Sequence, residues 1–167
     1  MQHRLSILIL IGSMVSGIAF GAETPLEDLA ADAVLTAFHA AAADADGKTY
    51  FSLLADDGIY IGTDASERWT VDEFRAFAEP YFSKGRGWTY TATERHIAVA
   101  SGGSVAWFDE MLVNETYGVC RGTGVLVNQD GAWRIAQYHL TFPIPNDLAR
   151  EFTTRIKDHE LQSNSIN

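Results

Sequence analysis

Helical spacing occupies the first part of this chain and strand alternation the rest, and that order limits the fold more than any other feature. Leu29, Ala33, Val34, Ala37, Phe38 and Ala41 recur at helical intervals and predict a helix reaching about residue 45. Thr24-Pro25-Leu26-Glu27 supplies its start, with a capping residue, a first-turn proline and a capping-box glutamate. Asp46-Gly47 ends it, and Tyr50, Phe51, Leu53 and Leu54 mark a second, short helix. Asp56-Asp57-Gly58 reads as a turn before a short strand at 59–61, and 63–68 reads as a loop. Trp69-Thr70-Val71-Asp72-Glu73 opens a third helix, capped by Thr70 with Glu73 as its box partner. Phe74, Phe77, Ala78, Tyr81 and Phe82 form its buried side, and Pro80 bends or shortens it.

From Trp88 onward the period changes to two. Strands are expected at 88–93 and 95–100, or as one strand joined by a bulge, then at 104–113, 117–127 and 133–142. Gly102-Gly103 and Gln129-Asp130-Gly131 are the turns, and Asn146 can cap a last helix at 147–159, followed by a loose tail from Gln162. Helices first and long strands last make an α+β plan, with helices gathered on one face of an antiparallel sheet. On the strand at 104–113, Val105, Trp107 and Met111 point one way and Ala106, Phe108 and Leu112 the other. Both faces are therefore apolar. One can meet the helices and the other a second copy of the chain, which predicts a homodimer through the sheet.

The first residues carry a separate message. Met1-Gln2-His3-Arg4 is positive, 5–20 is apolar with Gly and Ser interruptions, and small residues close it at Ala19 to Ala22. That order predicts a signal peptide over 1–21, cut after Gly21 or Ala22, and a secreted or periplasmic protein. The rival is a retained anchor, but the run falls short of the roughly 20 residues a spanning helix needs. Cleavage leaves roughly 145 residues, enough for one core. The formal charge of −10 argues against nucleic acid and against an anionic membrane face. The lone cysteine, Cys120, can form no internal disulfide and reads as a small buried strand residue.

Several stretches resemble one family: Ile61-Gly62-Thr63-Asp64, Glu67-Arg68-Trp69-Thr70, Gly87-Trp88-Thr89-Tyr90, Val105 to Glu110, Cys120 to Leu126 and Trp133 to Leu140. The Asp-Gly-x-Trp-Arg-Ile hairpin is the most distinctive of them. Over residues 26–150 the chain resembles the SnoaL-like branch of the nuclear-transport-factor-2-like superfamily. The resemblance implies a cone: a strongly curved antiparallel sheet closed by helices, with a pocket inside, and residues 151–167 beyond the domain hold the end of the C-terminal helix and the loose tail. Relatives include ketosteroid isomerases, epoxide hydrolases, cyclases and dehydratases, beside non-enzymatic binding modules. The epoxide-hydrolase Arg-x-Asp pattern is absent from this sequence.

Candidate chemistry follows from the strands. Asp109 and Glu110 are adjacent, so one carboxylate faces the cone and the other faces outward. Asp109 is the candidate base, or the partner of Arg121 in a cross-strand ion pair. Arg121 could equally clamp an acidic ligand. His139 shares parity with Trp133 and Ile135, which predicts an inward side chain able to move protons. Tyr60, Trp69, Trp88 and Phe108 are the candidate ligand-binding aromatics, suited to a small apolar or weakly acidic molecule. Glu67-Arg68 is expected to form a loop salt bridge. The His are scattered with no metal-ligand spacing, and no phosphate loop or Gly-x-Ser-x-Gly elbow occurs, so neither metal nor cofactor is expected. Two functions remain open: a cofactor-free isomerase, dehydratase or cyclase, or a non-catalytic binding or dimerisation module of the envelope.

Overall fold

A computed structural model describes residues 26–164 of the chain. The expectations for 1–21, the Thr24 cap and the last residues of the tail lie outside that range. In chain order the elements are α1 (Leu26–Ala43), α2 (Gly47–Ser52), β1 (Leu54–Ile61), β2 (Arg68–Thr70), α3 (Val71–Phe82), β3 (Thr91–Val99), β4 (Val105–Asn114), β5 (Gly118–Gln129), β6 (Ala132–Thr141) and α4 (Ala149–Asn164). The strands form one sheet in the order β2-β1-β6-β5-β4-β3. β1 runs parallel to β6, and every other neighbouring pair is antiparallel. The sheet is thus mixed rather than wholly antiparallel. Parallel neighbours need a long connection, and here the whole chain from β2 to β5 supplies it.

Local chemistry explains the element ends. Asp46 caps α2 by accepting the Thr49 N–H at 3.0 Å. Thr70 and Glu73 cap α3 reciprocally: Thr70 Oγ1 accepts the Glu73 N–H, and Glu73 Oε2 accepts the Thr70 N–H at 2.8 Å. Asp130 (φ 54°) and Gly131 (φ 84°) make a two-residue turn between β5 and β6, with two consecutive positive φ values as a type I′ hairpin requires.

Four expectations shift. Asp56-Asp57-Gly58 is a register irregularity inside β1, not a turn before it, so the strand begins at Leu54. Gly58 is buried there, where a Cβ would fall 2.9 Å from the Ala55 carbonyl oxygen. Trp69 belongs to β2 and lies just before α3. A bulge between Ala92 and Glu94 joins the two proposed strands into β3, which starts at Thr91. The last helix starts at Ala149 and runs on past His159 to Asn164.

Irregular register in β1/β6, β3/β4 and β5/β6 bends the sheet around its inner face. α1 packs on β3 and β6, α3 packs on β1 and β2, and α2 lies between the two helices. The core fills that concavity. α1 contributes Ala31, Leu35, Phe38 and Ala42, and the inner sheet face contributes Ala106, Phe108, Leu112, Leu126, Ile135 and Tyr138. Cys120 is buried among them, as the sequence predicts.

Candidate functional site

Alternation along β4 decides between the two adjacent carboxylates. Ala106, Phe108, Glu110 and Leu112 are buried, whereas Trp107, Asp109 and Val113 are exposed. Glu110 is 0 % exposed and is the one fully buried charged residue among the described residues. A carboxylate there survives only if its oxygens are met by donors. Oε1 accepts from His39 Nε2 at 2.7 Å and from the Tyr138 hydroxyl at 2.9 Å. Oε2 accepts from Arg95 Nε at 2.8 Å, and Arg95 Nη2 stands 2.8 Å from the same oxygen in an ion pair. Arg95 Nη1 in turn donates to Asp32 Oδ1 at 2.7 Å and to Thr36 Oγ1 at 3.0 Å. The cluster thereby ties α1, β3, β4 and β6 together.

Backbone choices make room for it. Gly122 on β5 lies directly opposite Glu110, and a Cβ there would collide with the Tyr138 hydroxyl and come within 2.8 Å of Glu110 Oε1. Gly124 lies opposite Phe108, where a Cβ would meet its ring at 2.8 Å. Burial pushes the Glu110 carboxyl up, but the hydrogen bond and charge of His39, then those of Arg95, outweigh it and leave the group below its ordinary range. Tyr138 is pushed well up, by burial first and then by the Glu110 charge.

Beside this cluster lies a cavity of about 290 Å³. Eight of its twelve lining residues are aromatic, including Tyr60, Trp69 and Trp88. Tyr60 stacks on Phe74 with centroids 3.8 Å apart, and Trp69 stacks on Phe77 at 5.0 Å. Tyr117 and Phe142, 4.9 Å apart, form another part of the wall. Burial pushes the Tyr60 phenol up, and the same cause first, then Cys120 and Tyr117, takes Tyr90 up to about 12. These phenols stay neutral near pH 7 and can donate hydrogen bonds but cannot act as ready bases.

Inward, the cavity's Tyr60, Trp88, Tyr90 and Leu140 also border a throat of only about 10 Å³, no more than one water's room. His39 and Tyr138, both ligated to Glu110, line that throat. His39 also lines an open groove of about 510 Å³ between α1 and the start of β3, as Asp32, Thr36 and Arg95 do. The imidazole therefore stands between two spaces, with its Nε2 anchored on a carboxylate.

The residues predicted from sequence divide into three groups. Tyr60, Trp69 and Trp88 line the cavity. Phe108 does not: it is buried deeper, its ring 5.8 Å from that of Tyr138. Asp109, Arg121 and His139 all sit on the outer face of the sheet, away from the cone. Asp109 and His139 share a row through Thr123, and Arg121 stands opposite Met111. Neither a hydrogen bond nor an ion pair joins the three among the described residues.

His139 turns outward because Ala136 is bulged. Ile135 pairs with Leu126 and Gln137 with Val125, so the parity of β6 flips between Ile135 and Tyr138. Tyr138 takes the inward place expected of His139. Arg95, not Arg121, neutralises the strand carboxylate. Sequence reading passed over His39 and Arg95, yet Asp32, Thr36 and His39 form a polar stripe at i, i+4 and i+7 on α1, beside the apolar stripe of Ala31, Leu35 and Phe38.

Replacing Glu110 by Gln should destabilise the protein by about 2–3 kcal/mol at pH 7, since Arg95 loses its buried countercharge and keeps only the half-exposed Asp32. The folded-state carboxyl lies below its ordinary value of 4.5, so its contribution is present above that value and is lost as pH falls through the lower folded one. Urea unfolding of both proteins from pH 7 down to about 3 should show the gap closing in that acid window. A gap independent of pH would contradict the assignment of the stabilising charge to Glu110.

Comparison with known proteins agrees with this architecture. The SnoaL-like domain family matches residues 31–145. No curated protein sequence matches the chain. Among solved structures, a cystatin-like-fold protein of unknown function from Nostoc punctiforme is 16% identical, with a TM-score of 0.59 over 72% of this chain and 93% of that one. A nuclear-transport-factor-2-like protein of unknown function from Pseudomonas putida is 15% identical, with a TM-score of 0.58 over 69% of this chain and 85% of that one. A ketosteroid isomerase-like protein from Erwinia carotovora atroseptica is 19% identical, with a TM-score of 0.55 over 73% of this chain and 100% of that one. At such identities the likeness is one of fold, the cone of the nuclear-transport-factor-2-like superfamily, and the match over 31–145 gives the narrower assignment: the chain belongs to the SnoaL-like domain family.

Proposed function

We propose that this domain binds a small, flat, largely apolar organic molecule in its aromatic cavity. The observation that carries the reading is the cavity itself: about 290 Å³, with eight aromatic residues among the twelve that line it. That volume sits at the lower end of the roughly 300–1,000 Å³ common for ligand pockets and suits one or two rings. Binding is favoured over turnover because Glu110 has donors on both oxygens and lies below its ordinary pKa, which makes it a weak base.

A second reading rests on His39. A carboxylate-anchored imidazole at the throat is the arrangement that moves protons in isomerisation, dehydration or cyclisation. It requires the ligand to reach past Tyr60 and Leu140 into the throat. Under this reading Glu110 is a positioning residue that orients His39.

The outer sheet face supports pairing of two copies. Trp107 is 54% exposed there, and Val113 and Val119, paired across β4 and β5 further along the same face, are exposed too. Export remains part of the proposal on the strength of the 1–21 pattern.

Three measurements test these statements. In a thermal-shift screen of one- and two-ring compounds, neutral and cationic, a ligand at about 100 times its Kd should add about 2.7 kcal/mol, a shift of several degrees. Thr63→Phe, at the exposed mouth, should abolish that shift and leave the ligand-free melting point unchanged. No stabilising compound, or full binding by the blocked variant, would remove the cavity reading, and turnover lost in His39→Asn with binding kept would select the second one. Light scattering should show a dimer that Trp107→Asp converts to monomer, and a monomeric wild type would end the pairing proposal. N-terminal sequencing of the exported protein should begin at Ala22 or Glu23, whereas retention of Met1 would contradict cleavage.

A further inference from the structure

We propose that the ligand of the aromatic cavity is an organic cation of the protonated-amine or quaternary-ammonium class, held by Glu67 and the aromatic walls. This rests on the reading of the cavity as a small-molecule site and adds the charge of what enters it.

Glu67 is the one charged residue among those lining the cavity, and no Lys, Arg or His shares the wall. The expected salt bridge to Arg68 is absent, and Glu67 takes part in no ion pair among the described residues. Its carboxylate turns back over the loop instead. Oε2 accepts the Asp64 N–H at 3.1 Å, and the Gly62 N–H donates to the Glu67 carbonyl at 2.8 Å. Gly62 permits this fold, since a Cβ at 62 would collide with the carboxylate. A half-buried negative charge with no countercharge is thereby held at the edge of an apolar space.

The consequence for ligand choice is electrostatic. A neutral apolar molecule seated against Glu67 would strip water from a carboxylate and give it no partner. An anion would add repulsion. A cation replaces the lost water and also meets the negative faces of aromatic rings. Trp and Tyr, the stronger cation binders with Trp first, make up five of the eight aromatic residues in the wall. The Glu67 charge is felt inside: after burial and Tyr90, it is the next influence raising the Tyr60 phenol. The formal charge of −10 over the chain draws cations from solution toward it.

The test compares two molecules of one shape, phenyltrimethylammonium and tert-butylbenzene, titrated into the full protein while the fluorescence of Trp69 and Trp88 is followed. The cation should bind at least about tenfold tighter than its neutral isostere. Glu67→Gln keeps an acceptor for the Asp64 N–H, so the loop stays closed. It should weaken the cation about tenfold and leave the neutral compound binding no more weakly than before. Raising salt from about 0.02 to about 0.5 M should weaken only the cation. Equal binding of the two probes, or a preference untouched by Glu67→Gln, would overturn the charge assignment while leaving the cavity reading intact. If neither probe binds, the charge assignment falls, and the wider thermal-shift screen with Thr63→Phe decides the cavity reading separately.

Discussion

The carboxylate of Glu110 has been taken wholly out of water, and the groups that meet it come from three separate parts of the chain. His39 lies 71 residues before it, Arg95 lies 15 before it and Tyr138 lies 28 after it. Each donor is useful only if its own element is in place. The helix α1 must cross the sheet where His39 reaches β4, and α1 is held there a second time by Asp32 and Thr36 on Arg95. A hydrophobic core tolerates small slides between a helix and a sheet. A buried anion held by three hydrogen bonds and an ion pair does not, because any slide leaves a charge or a donor unpaired. The cluster therefore fixes how the helical layer sits on the cone.

That demand propagates into the sheet. Gly122 and Gly124 surrender side chains on the inner face so that Glu110, Tyr138 and Phe108 can occupy the space. Tyr138 can point inward only because Ala136 is bulged, and the bulge also helps bend β6 around the core. The same residue then closes the aromatic cavity, since Tyr138 and His39 line the throat. The saturated anion and the open cavity are thus two sides of one wall.

How much of this was legible follows from those residues. The order of elements, the Thr70–Glu73 capping box, the Asp130-Gly131 turn and the family resemblance all rest on local pattern, and local pattern survives in a single sequence. Tyr60, Trp69 and Trp88 could be named as cavity candidates because aromatic walls suit flat, apolar occupants, and the structure does place them around the cavity. On β4 the parity of Glu110 with Ala106, Phe108 and Leu112 was visible, but Val105, Trp107 and Met111 made the opposite face equally apolar. Nothing local says which face a helix will cover. On β6 the argument for His139 failed at a bulge: one unpaired residue inverts every later assignment, and Ala136 carries no mark of its own in the sequence. The donors to Glu110 were hidden for a different reason. They are contacts between distant segments, and the stripe of Asp32, Thr36 and His39 reads equally well as a solvent-facing edge of α1.

Two glutamates in this small domain show why position relative to donors matters more than residue type. Glu110 is fully buried and satisfied on both oxygens, which holds it ionised and leaves it nothing to offer a ligand. Glu67 is only half buried, yet one backbone N–H is the hydrogen bond its carboxylate makes. Recognition needs an interaction still unmade when the ligand arrives, so the deeper, more protected carboxylate is the poorer candidate. The usual inference from burial to function reverses here. The inner glutamate sets the frame, and the one at the rim of the aromatic cavity, with no ion pair among the described residues, is where a charged partner changes the free energy most.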